Sequence, residues 1–152
     1  RAQILPMMNF LGEVRPAGPT RLDEGLANYA MRAREPGLVV VVSDFLDPNG
    51  FERGVRALLE RRFDVHLVHL IDPEEMNPTL GGDLRLIDSE TGDIRDLTAD
   101  GEALRGYRDR FRAFLERVEG FCRAQEIGYH RVTTDTTVEA FIVAQLRGRM
   151  LG

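Results

Sequence analysis

The residues best suited to chemistry in this sequence are acids that directly follow apolar, strand-like segments. Asp44 follows the apolar run 38–42 after one serine, Asp72 follows residues 65–71, and Asp135 follows residues 129–134. In an open parallel sheet, ligand sites form outside the carboxyl ends of the strands. Carboxylate oxygens at that edge are the hard ligands that Mg²⁺ prefers.

Each of these acids also has a purely structural interpretation. Asp135, next to a threonine, fits the cap of the following helix, and Asp72, next to a proline, fits a turn. Asp44 differs from both, because Asp47 and the proline after it already supply an N-cap for the next helix. We therefore expect the carboxylate of Asp44 to be available at the rim of the sheet.

Thr20 occupies the matching place before the preceding helix. With Asp23 three residues further on it comes close to a capping box, which is one interpretation. The other is that the Thr20 hydroxyl and the Asp44 carboxylate bind one cation from neighbouring loops. Mg²⁺ suits two such ligands, because it retains several water molecules and rarely uses an all-protein site.

These residues have to be positioned by alternating helices and strands. Apolar periodicity and turn residues predict helices over 20–34, about 48–62, 100–127 and 136–147, strands over 38–42, 65–71 and 129–134, and an inserted hairpin over 84–98. Thr136 and Glu139 are spaced as a capping box for the last helix. The order predicts an α/β fold with a parallel sheet.

The run 38–42 is apolar on both faces, which predicts a strand that is buried on both faces. At the edge of a sheet such a strand would expose unpaired backbone groups, so it also requires a neighbouring strand on each side. Right-handed crossovers place the strands 65–71 and 129–134 on one side of it and leave the other side open. We therefore expect the missing neighbour to lie outside this sequence, and residues 1–152 to be the C-terminal part of a single larger domain.

Composition excludes several function classes. All 20 basic residues are arginine, which rules out a P-loop lysine, a Schiff base and a lysine contact to an aspartyl phosphate. A net charge of −5 without a basic stripe gives no attraction for nucleic acid or anionic membranes. With no signal peptide or apolar run long enough to span a bilayer, we expect a cytoplasmic protein with no membrane partner.

The nucleophiles and imidazoles are predicted to be structural. Cys122 lies in the apolar stripe of the long helix, which indicates a buried and unreactive thiol. His66 and His69 are three residues apart on a strand and point to opposite faces, so they cannot form a paired metal site. His130 stands alone on another strand.

Together these segments resemble a known family. GPTRLDEGLANYAMRAREPGLVVVVSDF looks like the second half of a von Willebrand factor A domain, and the match is closer to the MoxR-associated bacterial branch with a vWA-like domain. In that branch SDFLDP, the D-P-x-E loop (here residues 72–75), GDLRLIDSETGD, a helix with an early tyrosine (here Tyr107) and a strand ending in T-D (here residues 134–135) recur in this order.

The resemblance implies a three-layer, Rossmann-like α/β fold with a metal-ion-dependent adhesion site. Thr20 and Asp44 match the threonine and aspartate of that site, while the D-x-S-x-S motif after the first strand is absent from the chain. A Mg²⁺ site is then complete only with the missing segment. The implied function is non-enzymatic protein binding, in which the metal accepts an acidic side chain, with a MoxR-type AAA+ ATPase as the leading partner.

Two alternatives stay open. One is an interaction domain whose metal site has lost its function, so that the long helix or the hairpin binds the partner. The other is a Mg²⁺-dependent phosphotransfer or receiver-like domain that uses Asp44. The absence of lysine and of a double-acid signature after the first strand argues against the second alternative.

Overall fold

The computed structural model describes residues 4–15, 18, 20–78, 81–87 and 92–150. Helices and strands alternate along most of this length, in the order α1 (Ile4–Glu13), α2 (Leu22–Arg32), β1 (Leu38–Ser43), α3 (Glu52–Glu60), β2 (Asp64–Ile71), α4 (Pro73–Met76), β3 (Gly82–Ile87), β4 (Ile94–Ala99), α5 (Gly101–Ala124), β5 (Gly128–Thr133) and α6 (Val138–Met150).

The main sheet has three parallel strands in the order β1-β2-β5. Val40 pairs with His66, and Val68 pairs with His130. The predicted α/β fold is confirmed in this form, and so is the placement of both later strands on one side of β1. In the described part of the chain, β1 is therefore an edge strand.

β3 and β4 form a separate antiparallel pair, which confirms the predicted hairpin. Its strands are joined across the sheet by an ion pair between Arg85 Nε and Asp96 Oδ1 at 2.9 Å. The predicted turn falls largely on residues 88–91, which lie outside the described residues.

The hydrophobic core lies on one face of the parallel sheet. Val41 and Leu67 contribute from the strands, and α2, α3 and α5 cover them with a shared set of buried side chains, among them Ala30, Val55, Leu58, Val118 and Cys122. Burying such aliphatic side chains stabilises the fold by about 1.5–3 kcal/mol each. This face therefore holds the three helices to the sheet.

The opposite face of β1 is exposed, contrary to the prediction that residues 38–42 are buried on both faces. Leu38, Val40 and Val42 are 65%, 51% and 57% exposed. Among the described side chains of α6, Phe141 packs edge-on against His130 of β5 on this face. Alternate side chains of β1 consequently contact the core while the others face outward.

The loop after β1 corrects the predicted start of α3. Instead of a helix from Pro48, the residues DPNG form a turn in which the N–H of Gly50 donates to the carbonyl of Asp47 at 2.9 Å. Proline in the second position, and Gly50 at a left-handed φ of 77°, suit such a turn. Asp47 is therefore not the N-cap of α3, which begins at Glu52.

Other helix boundaries also differ from the predictions. α1 was not predicted, because its residues are mostly apolar and do not alternate with polar residues at a helical spacing. The described side chains of α1 are all exposed. α6 begins at Val138, with Thr137 Oγ1 accepting from the N–H of Ala140 at 3.2 Å, so the predicted capping box of Thr136 and Glu139 is wrong. The long helix is confirmed as α5.

No helix within the described ranges combines the length and hydropathy needed to cross a bilayer.

Candidate functional site

Asp44 directly follows β1 and is exposed at the carboxyl end of the sheet. Its Oδ1 accepts from the N–H of Leu46 at 3.0 Å and from Ser43 Oγ at 3.5 Å. Within the described residues no hydrogen bond is recorded for its Oδ2. One carboxylate oxygen of this exposed side chain thus shapes the loop.

Thr20 is exposed two residues before the first turn of α2. The backbone N–H of Leu22 donates to Asp47 Oδ2 at 2.6 Å, so the loop that follows β1 is bonded to the start of α2. This hydrogen bond links the segments that carry Thr20 and Asp44 at one corner of the sheet.

The same carboxylate stabilises its own turn, since Asp47 Oδ1 accepts from the N–H of Asn49 at 2.8 Å and from Asn49 Nδ2 at 3.1 Å. The backbone N–H of Asn49 lowers the pKa of Asp47 below its ordinary value, opposed by burial and assisted by the N–H of Leu22. Asp47 was predicted to cap α3, the helix that follows it. Its side chain instead accepts from the first turn of α2, where the donor Leu22 is 25 residues away in sequence.

Asp23 does not form the expected capping box with Thr20. Its carboxylate is turned away from its own helix terminus and accepts from Arg53 Nε at 2.7 Å and from the N–H of Gly54 at 2.6 Å. The side chain is only 9% exposed. Asp23 therefore joins α2 to α3, and α2 has Arg21 at its N-cap with no side-chain cap of its own.

An open cleft of about 490 Å³ lies beside this corner, between the first turns of α2 and α3. Its lining contains both positively and negatively charged side chains and consists of Arg21, Asp23, Glu24, Asn49, Glu52, Arg53 and Arg56. Such a surface fits a polar segment of a partner better than an apolar ligand, because every lining side chain is polar.

The other strand-end acids have structural roles. Asp72 accepts from the N–H of Glu74 at 2.8 Å, and Glu75 completes a capping box for α4. Asp135 accepts a hydrogen bond from the hydroxyl of Thr133. Thr137, rather than Asp135, supplies the oxygen at the start of α6.

His69 lies beneath the Asp44 loop and is fully buried. Its Nδ1 is 2.8 Å from Tyr129 Oη, and the ring also hydrogen-bonds the backbone of Asp44. Burial lowers the pKa of His69 below 6.5, against the raising effect of the Asp44 backbone. The imidazole is therefore mostly neutral at pH 7.

The expectation that His130 stands alone is wrong. His66 Nδ1 and His130 Nε2 are 3.3 Å apart on the face opposite His69, and His66 Nε2 is 3.4 Å from Asp64 Oδ1. The predicted opposite orientation of His66 and His69 is confirmed. Pairing of His66 with His130 depends on the register between β2 and β5, which the sequence pattern does not specify.

Cys122 is buried as predicted, and burial raises the pKa of its thiol to about 11. A thiol with such a pKa is almost entirely protonated at pH 7, so it is a poor nucleophile.

The ligands that this corner offers to a cation are hard oxygens, the Thr20 hydroxyl and the Asp44 carboxylate. They fit Mg²⁺ by donor type and by their exposure at the end of β1. Across the described part of the chain, no group of three or more His, Cys, Asp or Glu residues is arranged to hold a metal ion. With only these two protein ligands, a bound Mg²⁺ would take its remaining ligands from water or from residues outside this chain.

Comparison with known proteins places the sequence among bacterial relatives. The family model described as "Protein of unknown function DUF58" matches residues 1–117. An uncharacterized protein of Mycobacterium tuberculosis, Rv1480, is 36% identical over 87 residues, which are 56% of this chain and 27% of that protein.

A second relative, the uncharacterized protein MAV169 of Mycobacterium avium, is 32% identical over 91 residues, which cover 57% of this chain and 53% of that protein. The chain thus spans between about a quarter and about half the length of these curated relatives. No solved structure matches the chain significantly.

Proposed function

This chain belongs to DUF58, a family of proteins of unknown function, and from that premise we propose that it is part of a vWA-like, non-enzymatic protein-binding domain. In this proposal Thr20 and Asp44 contribute to a metal-ion-dependent adhesion site for Mg²⁺. The remaining ligands come from a segment that lies outside this chain and pairs with the open edge of β1.

The observation that carries the proposal is the hydrogen bond from the N–H of Leu22 to Asp47 Oδ2 at 2.6 Å. It fixes the start of α2 against the loop after β1, which supports a shared site for Thr20, two residues before Leu22, and Asp44, three residues before Asp47. The exposed side chain of Asp44 suits a metal ligand, since Mg²⁺ retains water molecules around it.

A bound cation at this corner would offer an open coordination position to an acidic side chain of a partner. The polar cleft between α2 and α3 would then contact residues on either side of that acid. A MoxR-type AAA+ ATPase, or a complex that it remodels, is the proposed partner.

The main alternative is an interaction domain that works without a metal. It is favoured by the fact that Thr20 and Asp44 are only two ligands, and that no larger ligand group occurs among the described residues. Under this alternative, α5 or the hairpin would contact the partner. A phosphotransfer function has weaker support, because the sequence has no lysine to contact a phosphoryl group.

The test is cation binding by the full-length protein, with Mn²⁺ as a spectroscopic substitute for Mg²⁺. We expect Asp44→Ala to weaken Mn²⁺ binding by at least about tenfold, since a lost hydrogen bond or ligand to a charged group costs roughly 1.5–3 kcal/mol. Asp135→Ala is the matched control, because it removes another exposed strand-end acid and should leave the affinity unchanged.

Capture of the purified MoxR-type ATPase is measured in parallel, with and without chelator. Loss of capture on chelation and in Asp44→Ala supports the metal-bridged interaction. Capture that is insensitive to both treatments would exclude the metal bridge and favour the metal-independent alternative.

A further inference from the structure

His69 is the buried group closest in the hydrogen-bond network to the candidate cation site, and neither sequence pattern nor family membership gives it a role. It lies on β2 opposite Ser43 of β1, so it sits directly below the point where β1 turns into the Asp44 loop. At 1% exposure, each polar atom of its ring must find a partner inside the protein.

The two ring nitrogens have different partners. Nδ1 is 2.8 Å from Tyr129 Oη, and the ring is also hydrogen-bonded to the backbone of Asp44, which leaves Nε2 as the nitrogen that faces that backbone. Among the described residues no buried side-chain nitrogen lacks a hydrogen-bond partner, so Nε2, the nitrogen that does not face Tyr129, donates to the carbonyl oxygen of Asp44. Nδ1 is then the acceptor of the Tyr129 hydroxyl proton, which fixes the tautomer.

Aromatic contacts hold the ring in this orientation. Phe45 and Phe114 pack edge-on against the imidazole, with centroid separations of 5.2 and 5.6 Å and interplanar angles of 88° and 87°. Rotation of the ring would lose both contacts as well as both hydrogen bonds. The imidazole is therefore a rigid support for the backbone above it.

Phe45 shows that the supported backbone is strained. It has a φ of 57°, a conformation that is costly for a bulky L-residue, and its side chain is 1% exposed. Strain of this kind persists only where surrounding contacts hold it. The strained residue is the neighbour of Asp44, so the same contacts decide where the Asp44 carboxylate lies.

We propose that His69 is a positioning residue for the candidate cation site: its Nε2–H holds the backbone of Asp44, and the Tyr129 hydroxyl holds the ring in the required tautomer. The role of His69 in cation binding rests on the proposed function, whereas its role in positioning the Asp44 loop does not.

The first test is amide hydrogen exchange of the Asp44 loop without any metal. Phe45 and Leu46 are the reporters, because their N–H groups donate to Ser43 Oγ and Asp44 Oδ1. We expect His69→Phe, which keeps an aromatic ring but no hydrogen-bonding nitrogen, to speed their exchange about three- to tenfold, as loss of one hydrogen bond implies.

Two further variants separate hydrogen bonding from packing. His69→Gln can donate and accept at once, and we expect it to restore a large part of the protection. Tyr129→Phe keeps the ring but removes the hydroxyl, and we expect an intermediate acceleration. His66→Gln is the control, since it lies on the same strand but on the opposite face, and it should leave Phe45 and Leu46 unchanged.

Exchange at Val118, a fully buried residue of α5, reports global opening and is measured in every variant. Unchanged loop exchange in a folded His69→Phe protein would overturn the proposal. If that variant does not fold, unchanged loop exchange in Tyr129→Phe would overturn it equally. Equal acceleration at Val118 and in the loop would also overturn it, because the effect would then be loss of overall stability.

The second test is the Mn²⁺ affinity of the full-length protein. We expect His69→Phe to weaken it about three- to tenfold, as loss of one hydrogen bond implies, and His69→Gln to recover it. If the unaltered protein binds no Mn²⁺, the proposed function fails, and the exchange experiment still decides whether His69 positions the loop.

Discussion

Asp47 illustrates, at the scale of the residue, how one carboxylate can organise two chain segments. One oxygen accepts from two nitrogens of Asn49 and the other from the N–H at the start of α2. The turn that positions Asp44 and the helix that follows Thr20 thus depend on one side chain. Because every donor is better satisfied by the ionised form, its pKa is lowered.

We predict that Asp47→Ala lowers the free energy of unfolding at pH 7 by about 0.5–2 kcal/mol, the usual effect of losing a helix cap. The folded-state pKa lies below the unfolded value of 3.8. The stabilisation is therefore fully present above that value and is lost as the pH falls through the folded-state pKa. Urea denaturation at pH 7 and at about pH 3 measures both effects.

The difference in the free energy of unfolding between the unaltered protein and Asp47→Ala should be smaller at the lower pH. At that pH the Asp47 carboxyl is becoming protonated in both the folded and the unfolded chain. Asp135→Ala serves as the comparison, because Asp135 caps no helix among the described contacts. A gap of constant size across this pH range would mean that the charge of Asp47 does not contribute.

At the scale of the element, the close approach of α2 and α3 explains a glycine in the first turn of α3. A Cβ at Gly54 would lie 2.5 Å from the backbone oxygen of Asp23 and 2.7 Å from Leu26 Cβ. The absence of a side chain also lets the N–H of Gly54 reach the Asp23 carboxylate. Glycine lowers helix propensity, but at position 54 it permits contact between α2 and α3, the two helices that flank the candidate site.

Gly54→Ala should accordingly destabilise the protein by about 1–3 kcal/mol, as overpacking typically does. Gly120→Ala in α5 is the matched control, because a Cβ there meets no atom within 4 Å. That change should stabilise the protein by up to about 1 kcal/mol through helix propensity. Thermal unfolding of the two variants should give shifts of opposite sign, and a stabilised Gly54→Ala protein would refute the packing argument.

At the scale of the whole molecule, the exposed apolar side chains of the described residues include one group on one side of β1 and another along α1. Leu38, Val40 and Val42 are each more than half exposed. The exposed apolar side chains of α1 include Ile4, Leu5, Met7, Met8, Phe10 and Leu11. Under the proposed function, a strand from outside this chain pairs with β1, and the completed domain covers this surface.

We predict that the isolated chain binds the dye ANS strongly, and that a protein extended through the full family domain binds it several-fold less and unfolds at a higher temperature. Burial of apolar surface accounts for both changes. Equal dye fluorescence of the two proteins would count against an additional strand at this edge. Val40→Thr in the isolated chain, which keeps the β-branched shape, should lower the fluorescence in part.

Sequence patterns predicted the parts of this fold that depend on periodicity. The parallel strands, the hairpin and α5 follow from alternation or helical spacing, and the position of Asp44 follows from the end of an apolar run. These features are set by local residue type, and the structure confirms them.

The features that were missed depend on contacts between distant residues. Asp47 and Asp23 have side chains typical of local caps, but their donors lie 25 and 31 residues away. The partners of His69 and His130 depend on strand register in the same way. Local sequence patterns therefore identified the candidate residues. The hydrogen bonds that hold their loops in place could be recognised only in the tertiary structure.

The packing of His66 against Gly128 has a consequence for how these sequences can change over time. A Cβ on Gly128 would overlap the imidazole of His66, because the two residues pair across β2 and β5. A side chain can then be acquired at 128 only after the residue at 66 has become smaller, whereas the reverse order passes through an unfit intermediate. Among homologues, the two positions should vary together, with glycine at 128 wherever a ring occupies 66.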